Sequence, residues 1–492
     1  MKRRMISTVI VGAACTLLLG SWSSAAVKPA AIFTDNAVLQ QGIMLKIWGT
    51  ANDGETVTVK INGQEATAKT AGDRWQVELP PMKAGGPFPM TITGENTVEL
   101  KNLYIGEVWL GSGQSNMWWP LAETEKAAEV ISQSGDEGLR LFTVPLTAET
   151  SPAKDLTGGQ WQVCGPETAG NFSAAAYYFG RELRKSLGVP VGLISAAFGG
   201  SIVQAWTSRP YILSDPQSSQ YLDNLPFWAQ GEQNRFCVLY NGMIAPIIPY
   251  GIRGVIWYQG EGNTEADEAE HYRTSFPLLI RNWREDWGQG DFPFLFVQLP
   301  PWARDPVFHV SIDPEATGWA VLRESQLWTS QNVANTAMAV IMDAGDENLI
   351  HPKRKEPVGY RLALAARGMV YGQDVVYRSP VYKSLEMQGN RAVLSFDHTD
   401  GGLVIQGDSA AGFQMAGADK KFYPAQAKVV GNDKIEVWSD QVAQPAAVRY
   451  GWANYPVVNL FSRAGLPMCP FRTDTWPPEK PFKTYPWPPE NK

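Results

Sequence analysis

The 492-residue sequence has few histidines and cysteines and no excess of basic residues. Its 42 Lys and Arg against 49 Asp and Glu give a formal net charge of −7. Binding to nucleic acid or to an anionic membrane is therefore disfavoured, because such partners are usually met by a basic surface. The G-x-x-x-x-G-K-[ST] phosphate loop is also absent from the sequence, which disfavours phosphoryl transfer.

The four cysteines offer little for disulfides or metal binding. Cys15 lies within an N-terminal apolar stretch, and Cys164, Cys237 and Cys469 are far apart, without C-x-x-C or C-x-x-H spacing. Three cysteines allow at most one disulfide and leave a free thiol. We therefore expect structural or buried thiols, no metal site and no cofactor.

The first 26 residues have the pattern of a secretory signal peptide. Basic residues at 2–4 are followed by an apolar stretch over 6–19 and by small residues at 24–26. The stretch is shorter than the about 20 apolar residues that span a bilayer. We expect cleavage after Ala26, a periplasmic or secreted protein, and no membrane span in the cleaved chain.

Beyond residue 26 the sequence pattern divides the chain into four parts. Residues 27–103 have the pattern of a β domain, with Asn62-Gly63 as a hairpin turn. Residues 104–373 alternate between apolar runs and amphipathic stretches, and residues 374–475 again favour short strands. Residues 476–492 are a proline-rich tail. The pattern predicts an α/β domain with N- and C-terminal β-sandwich-like domains on either side.

The alternation in the middle part predicts a parallel sheet with helices on both faces. The apolar runs cover 108–111, 191–197, 254–259, 292–298 and 337–342. The amphipathic stretches cover 174–187, 269–287, 319–331 and 357–370. Ligands of open parallel sheets bind at the carboxyl ends of the strands, so the residues that follow the apolar runs are the candidates for chemistry.

A serine follows the first apolar run, within the segment Gly-Ser-Gly-Gln-Ser-Asn-Met at 111–117. Ser115 is expected on a tight strand-to-helix turn, where its side chain is exposed and helix-terminal amides can stabilise an oxyanion. The segment is not the G-x-S-x-G elbow, because residue 117 is Met. Taken alone, a serine in such a turn is more often only a turn residue.

Glycines and polar side chains follow the second and third runs. The segment 199–201 permits close backbone approach, so the Gly200 N–H can face a ligand. Gln259 can donate to an oxyanion, and Glu261 can orient a base or bind sugar hydroxyls. A simple turn and a polar loop facing water explain the two segments about equally well.

A serine nucleophile needs a base, and imidazole suits that role. Of the four histidines, His398 lies in the C-terminal β region, His271 is expected on a solvated helix face, and His309 is a minor candidate after the fourth run. His351 lies beyond the fifth run, among acidic residues and just before the last helix. His351 is therefore the predicted base.

Four ordered blocks resemble the sialate O-acetylesterase family of SGNH hydrolases. They are residues 113–117, 199–201, 257–261 and 351–353, and the segments 37–41, 459–461 and 470–474 are similar as well. The resemblance covers nearly the whole chain after residue 26. It implies a flavodoxin-like three-layer α/β/α catalytic domain flanked by β domains. It also implies hydrolysis of acetyl esters on sugars, typically the 9-O-acetyl group of sialic acid.

The predicted catalytic residues are Ser115 as nucleophile and His351 as base. The predicted oxyanion hole consists of the N–H groups of Ser115 and Gly200 and the side chain of Gln259. Trp118, Trp119, Trp206 and Tyr258 are possible sugar-stacking residues, although core packing explains any one of them equally well.

The family usually carries an acid two or three residues before the histidine, whereas this chain has Asn348 and Leu349 there. The imidazole N–H is then held by a carbonyl near Leu349, by Asn348, by Asp346 or by Glu261. A Ser-His dyad is the default expectation.

The expected partner is an acetylated sugar or glycan. Acetylxylan or another acetylated polysaccharide is the alternative substrate, and a catalytically silent carbohydrate-binding protein is the minor alternative.

Overall fold

The computed structural model of the chain describes residues 26–222, 231–305, 310–311, 317–477 and 485–486. Apart from Ala26, the predicted signal peptide lies outside the described residues, and so does the minor base candidate His309.

The N-terminal region consists of short strands. They are β1 (Lys28–Pro29), β2 (Val38–Gln40), β3 (Leu45–Thr50), β4 (Thr56–Ile61), β5 (Gln64–Lys69), β6 (Arg74–Leu79), β7 (Gly85–Thr93) and β8 (Thr97–Gly113). Strands β1, β3 and β6 form one sheet, and β4, β5, β7 and β8 pair antiparallel in another. Strands β4 and β5 are joined by Asn62 and Gly63, whose φ angles of 48° and 72° suit the predicted two-residue hairpin turn.

The central region forms a parallel sheet. Its further strands are β9 (Asp136–Thr143), β10 (Trp161–Cys164), β11 (Val191–Ala197), β12 (Gly254–Tyr258), β13 (Phe294–Val297) and β16 (Thr336–Ala339). The strand order is β10-β9-β11-β8-β12-β13-β16, in which only the edge strand β10 runs antiparallel. Within it, β11-β8-β12-β13-β16 follow the order 2-1-3-4-5 of flavodoxin-like sheets.

Strand β8 is shared by the N-terminal and central regions. Residues 97–105 pair with β7, and residues 107–113 pair in parallel with β11. The boundary predicted between residues 103 and 104 therefore falls inside one continuous strand. A single hydrophobic core extends from Val27 to the central helices, so the two regions pack as one body.

Helices cover both faces of the central sheet. They are α1 (Ser115–Trp118), α2 (Ala127–Ser132), α3 (Pro166–Ala169), α4 (Ala174–Leu187), α5 (Arg209–Ser214), α6 (Pro216–Ser219), α7 (Ala266–Trp287), α8 (Gly318–Asn332) and α9 (Glu356–Ala365). Trp109 of β8 contacts Phe179 of α4, with ring centroids 5.0 Å apart. Trp257 of β12 points to the opposite face and stacks on Phe276 of α7. Helix α9 packs on α4 and α8 packs on α7, which gives three layers.

The C-terminal region is a β-sandwich with its own core. Its strands are β17 (Val381–Gln388), β18 (Arg391–Asp397), β19 (Leu403–Ile405), β20 (Phe413–Ala416), β21 (Phe422–Pro424), β22 (Gln426–Val430), β23 (Lys434–Trp438), β24 (Ala447–Tyr450), β25 (Leu460–Ser462) and β26 (Phe471–Arg472). The sheets β17-β18-β23-β22 and β21-β20-β24-β26 face each other across that core. A further small sheet joins β14 (Arg304–Asp305), β15 (Val310–Ser311) and β27 (Tyr485–Pro486).

The three cysteines beyond residue 26 are buried free thiols, as predicted. The Cys164 thiol donates to the carbonyl of Ser134, and the Cys469 sulfur accepts from the Gln298 amide. Burial raises the pKa of each of the three thiols to about 12. Within the described part of the chain, no helix combines the length and apolar character needed to cross a membrane.

A buried carboxylate lies where β8 passes from one region to the other. Glu107 has a side chain that is 1% exposed, and Arg253 binds it through Nε at 2.7 Å and Nη2 at 3.1 Å. Gln41 and Tyr371 also donate to it, at 2.6 and 2.8 Å. Donors from both regions therefore converge on this one side chain, and together they offset the cost of burying its charge.

Replacing Arg253 with methionine is expected to destabilise the fold, because the Glu107 carboxylate stays buried without its counter-charge. We expect a loss of roughly 3 kcal/mol in the free energy of unfolding, measured by urea titration. The matched control is Arg281→Met, since the Arg281–Glu285 pair is exposed and 4.0 Å long. That control should stay within about 0.5 kcal/mol of the parent protein. Equal losses for both variants would contradict this role for Glu107.

Candidate active site

The chain turns sharply at the carboxyl end of β8, where Ser115 begins α1. Gly113 makes this turn possible, because its φ is +135° and a Cβ there would lie 2.1 Å from the carbonyl oxygen of Tyr258. Gln114 follows in an extended conformation. Its side-chain oxygen accepts from the N–H groups of Gly260 and Gly262, at 3.3 and 3.1 Å. The first and third predicted blocks are thus bound to each other.

A pocket of about 460 Å³ opens beside Ser115 at the carboxyl edge of the sheet. It brings together residues from three of the predicted blocks, namely Ser115, Gly200 and His351. Its remaining described lining is mostly apolar and aromatic: Gln114, Trp118, Trp119, Leu146, Phe198, Gly199, Trp302 and Ile350. A predicted nucleophile and a predicted base therefore share one pocket whose walls suit a sugar ring or an acetyl group.

His351 is held against an aromatic ring. It is 9% exposed, and its imidazole stacks on Trp119 with ring centroids 4.2 Å apart and planes 25° apart. The backbone N–H of Trp119 donates to the carbonyl oxygen of Ser115 at 2.7 Å. The residue that stacks on the predicted base therefore belongs to the same turn as the predicted nucleophile.

Asn116 is a site residue that the sequence reasoning missed. Its Nδ2 donates to Glu261 at 2.5 Å and to the carbonyl oxygen of Ile350 at 2.9 Å. Its Oδ1 accepts from the Nζ of Lys355. The only signal in the sequence is that Asn116 adjoins Ser115 within the first block, and Lys355 follows shortly after the histidine block.

Two opposite charges lie buried next to this asparagine. Burial lowers the pKa of the Lys355 ammonium to about 7, although the charge of Glu261 raises it. Burial raises the pKa of the Glu261 carboxyl, against the bond from Asn116 and the charge of Lys355. The Lys355 ammonium also lies 5.5 Å from the ring centre of Tyr258. Neither charged side chain lines the pocket.

The structure corrects the prediction that Gln259 contributes to an oxyanion hole. Gln259 is fully buried and lies outside the pocket lining. Both N–H groups of its amide are used, donating to the Ser201 carbonyl at 3.1 Å and to Asn263 at 2.8 Å. Its amide oxygen accepts from Tyr272 at 2.7 Å. The side chain therefore fixes the loop that follows β12 and has no donor left for a substrate.

Of the predicted sugar-stacking residues, Trp118 is 44% exposed and lines the pocket. Trp206 and Tyr258 are fully buried and do not line it, so the prediction for these two is wrong. The Trp206 indole donates to Ser201 at 2.9 Å as part of the core. Trp119 lines the pocket as predicted, and so does Trp302, which the sequence analysis does not single out.

The side chains proposed to orient His351 have other partners. Asn348 is exposed, and its oxygen accepts from Arg304 at 2.6 Å. Asp346 accepts from two backbone N–H groups of its own loop, at 2.8 and 3.1 Å. One oxygen of Glu261 accepts from Asn116. Asp346 thus helps to shape the loop that leads to His351.

His271 is buried, contrary to the expectation of a solvated helix face. It is 9% exposed, and its Nε2 lies 2.8 Å from an oxygen of Asp215. Burial alone raises the pKa of Asp215, but the hydrogen bonds from His271, Ser218 and the Gln217 N–H, together with the charge of His271, lower it overall. The pair lies apart from the Ser115 pocket, so it does not compete with His351 for the role of base.

The chain is similar to known proteins in family, sequence and structure. The family described as carbohydrate esterase, sialic acid-specific acetylesterase, matches residues 105–365. The sialate O-acetylesterase of Homo sapiens is 30% identical over 490 residues, which cover 91% of this chain and 92% of that protein. The sialate O-acetylesterase of Mus musculus is 30% identical over 471 residues, with 83% and 86% coverage.

A solved structure is similar over almost the same extent. The crystal structure of a carbohydrate acetylesterase from Xanthomonas citri superposes with a TM-score of 0.84. It is 38% identical, and the match covers 92% of this chain and all of that one. These relatives show that the protein is a carboxylic ester hydrolase acting on carbohydrates. The chain belongs to the sialic acid-specific acetylesterase family of carbohydrate esterases.

Removing the indole that stacks on His351 is expected to lower esterase activity. A stacked aromatic pair contributes about 0.5–1.5 kcal/mol, so Trp119→Ala should lower kcat/KM roughly 2- to 13-fold. Trp119→Phe should lose less, because it keeps a ring next to the imidazole. The measurement is hydrolysis of a chromogenic acetyl ester. Trp328→Ala, which truncates a 38% exposed Trp on α8, is the control expected to match the parent protein. Equal kcat/KM for Trp119→Ala and the control would contradict the role of the stack.

Proposed function

We propose that this protein is an SGNH-type serine esterase that removes O-acetyl groups from sugars through an acetyl-Ser115 intermediate. The observation that carries the proposal is the common pocket of Ser115 and His351 at the carboxyl edge of the sheet. Family membership supports the reaction class, and the residue geometry supports the roles given to the two side chains.

In the first half of the reaction His351 takes the proton of Ser115, whose oxygen attacks the acetyl carbonyl. The resulting tetrahedral intermediate breaks down as His351 returns that proton to the departing sugar oxygen. In the second half a water gives its proton to His351 and attacks acetyl-Ser115. Acetate leaves, and the proton returns to the serine oxygen. The cycle needs no metal and no organic cofactor.

The oxyanion of each tetrahedral intermediate would accept hydrogen bonds from backbone N–H groups. The Ser115 N–H belongs to the first turn of α1, where amides have no partner within the helix. Gly200 lines the same pocket with a φ of +69°, a backbone conformation that glycine adopts at little steric cost. Each such donor typically contributes about 10²–10³-fold to the rate. Gln259 has no part in this proposal, because its amide is bonded elsewhere.

The favoured substrate is 9-O-acetylated sialic acid. The support is the similarity of nearly the whole chain to proteins named sialate O-acetylesterase. The aromatic wall formed by Trp118, Trp119 and Trp302 offers stacking surfaces for the sugar.

One observation favours an uncharged acetylated polysaccharide as the second candidate. Among the described residues that line the pocket there is no Arg or Lys. A sialic acid bears a carboxylate, which binding sites usually pair with a cation. Acetylxylan has no such charge on its backbone, so the described lining suits it without a further group.

We also propose that the enzyme works in the periplasm or outside the cell. The support is the basic, apolar and small-residue pattern of the first 26 residues.

Replacing Ser115 with alanine is expected to abolish acetate release, since Ser115 carries the only hydroxyl or thiol among the described side chains that line the pocket. The far- and near-UV circular dichroism spectra should match the parent protein, because one hydroxyl is removed from a half-buried position. A fluorophosphonate probe should label the parent protein and not the variant. Substantial residual turnover in the variant would exclude Ser115 as the nucleophile.

The two substrates are distinguished by measuring acetate release from 9-O-acetylated sialic acid and from acetylated xylan side by side, with Ser115→Ala as the blank. We expect the larger kcat/KM for the sialic acid. A larger value for xylan would keep the mechanism and assign the enzyme to the second candidate.

A further inference from the structure

We propose that Lys355, Asn116 and Glu261 are positioning residues that hold the His351 loop in register with Ser115. This inference rests on the proposed function of Ser115 and His351. The Asn116 amide lies between the buried charged groups of Lys355 and Glu261, and none of these three side chains lines the pocket.

Asn116 links the chain segments that carry the two catalytic side chains. It directly follows Ser115, and it donates to the carbonyl oxygen of Ile350, which directly precedes His351. That hydrogen bond of 2.9 Å directly connects the turn that carries Ser115 with the loop that carries His351. A change in it moves the backbone on which the imidazole stands.

The charges on either side fix which way the Asn116 amide faces. A lysine ammonium has donors only, and an ionised carboxylate has acceptors only. In their charged forms Lys355 therefore requires the amide oxygen on its side, and Glu261 requires the amide nitrogen on the other. In that orientation Nδ2 also donates to the Ile350 carbonyl. The two charges therefore favour the amide orientation that holds the His351 loop in place.

Burial makes this arrangement costly, which argues against a purely structural role. Asn116 is fully buried and Lys355 is 1% exposed. The second oxygen of Glu261 is buried, and it has no hydrogen-bond partner among the described residues. Removing a buried ion pair in favour of apolar side chains often costs no stability. Asn116 lies one residue from Ser115 and Lys355 lies four residues from His351, which gives the arrangement a use in alignment.

The alignment of a nucleophile and its base affects the rate of the chemical step far more than it affects the binding of the substrate. A displacement of about 1 Å can cost about 10²-fold in rate. Because Asn116, Lys355 and Glu261 do not line the pocket, their loss should leave the sugar contacts in place. The expected signature is therefore a fall in kcat with little change in KM.

The primary test is Asn116→Asp, which keeps the shape and removes both Nδ2 donors. We expect kcat for acetyl ester hydrolysis to fall about 10²-fold, with KM within about 3-fold of the parent value. Fluorophosphonate labelling of Ser115 should slow by a similar factor. The matched control is Asn282→Asp, which disturbs another buried asparagine that accepts from Ser208 and donates to Asp286. That control should lower the melting temperature and leave kcat at the parent value.

Lys355→Met provides a second and independent variant. It removes the charge that orients the amide, so kcat should again fall while KM stays. In an Asn116→Ala background the same lysine substitution should have less than half of its effect on ln kcat, because the lysine acts through the asparagine. Glu261→Gln, which keeps an acceptor, should lower kcat less than Glu261→Leu.

The outcomes separate this inference from the proposed function. If the parent protein is not labelled at Ser115, the proposed function fails. If the parent protein is labelled and the folded Asn116→Asp and Lys355→Met proteins keep the parent kcat, the positioning role is overturned. Additive effects in the double variant, or a loss of activity explained fully by a lower folded fraction, would overturn it as well.

Discussion

Strand β8 is hydrogen-bonded to β2 and β7 near its beginning and to β11 and β12 near its end. Its register therefore fixes the N-terminal strands and the catalytic sheet relative to each other. A slip of one residue would turn every side chain to the opposite face, and it would move Glu107 away from its donors. The same register places Gly113 against Tyr258, and so determines where the turn that carries Ser115 begins.

The site has an apolar surface and a charged interior, the reverse of the usual arrangement in a soluble protein. Trp118, Trp119 and Trp302 face the cavity, whereas Glu261 and Lys355 lie behind it. An apolar wall strengthens the electrostatic interactions of the few polar groups that remain in the pocket. Between these two groups the Asn116 amide accepts from Lys355 and donates to Glu261.

Periodicity identified the regular elements of the catalytic region well. The predicted stretches 174–187 and 191–197 coincide with α4 and β11, because their apolar spacing is uninterrupted. Strands β9 and β10 were not predicted, since β9 begins with acidic residues and β10 is only four residues long. The boundary predicted between residues 103 and 104 lies within β8, where no change of composition marks the passage from one region to the next.

Site residues were predictable where a short motif carries the chemistry and unpredictable where partners come from distant segments. Ser115, Gly200 and His351 were found from strand ends and residue type, and they meet in one pocket. Gln259 follows the same rule but turns inward, because Tyr272 and Ser201 satisfy its amide. A pattern in a single sequence does not show whether a residue at the end of a strand faces the pocket or the protein interior. The roles of Asn116 and Lys355 depend on the direction in which their side chains point.

The three buried thiols have a practical consequence for studying the enzyme in solution. Alkylating reagents react with thiolate, and a pKa of about 12 leaves almost none at neutral pH. A single cysteine introduced on the rim of the pocket would therefore be the only fast-reacting thiol among the described residues. Spin labels or fluorophores could be attached there without first removing the native cysteines, and they would report on glycan binding in the intact folded protein.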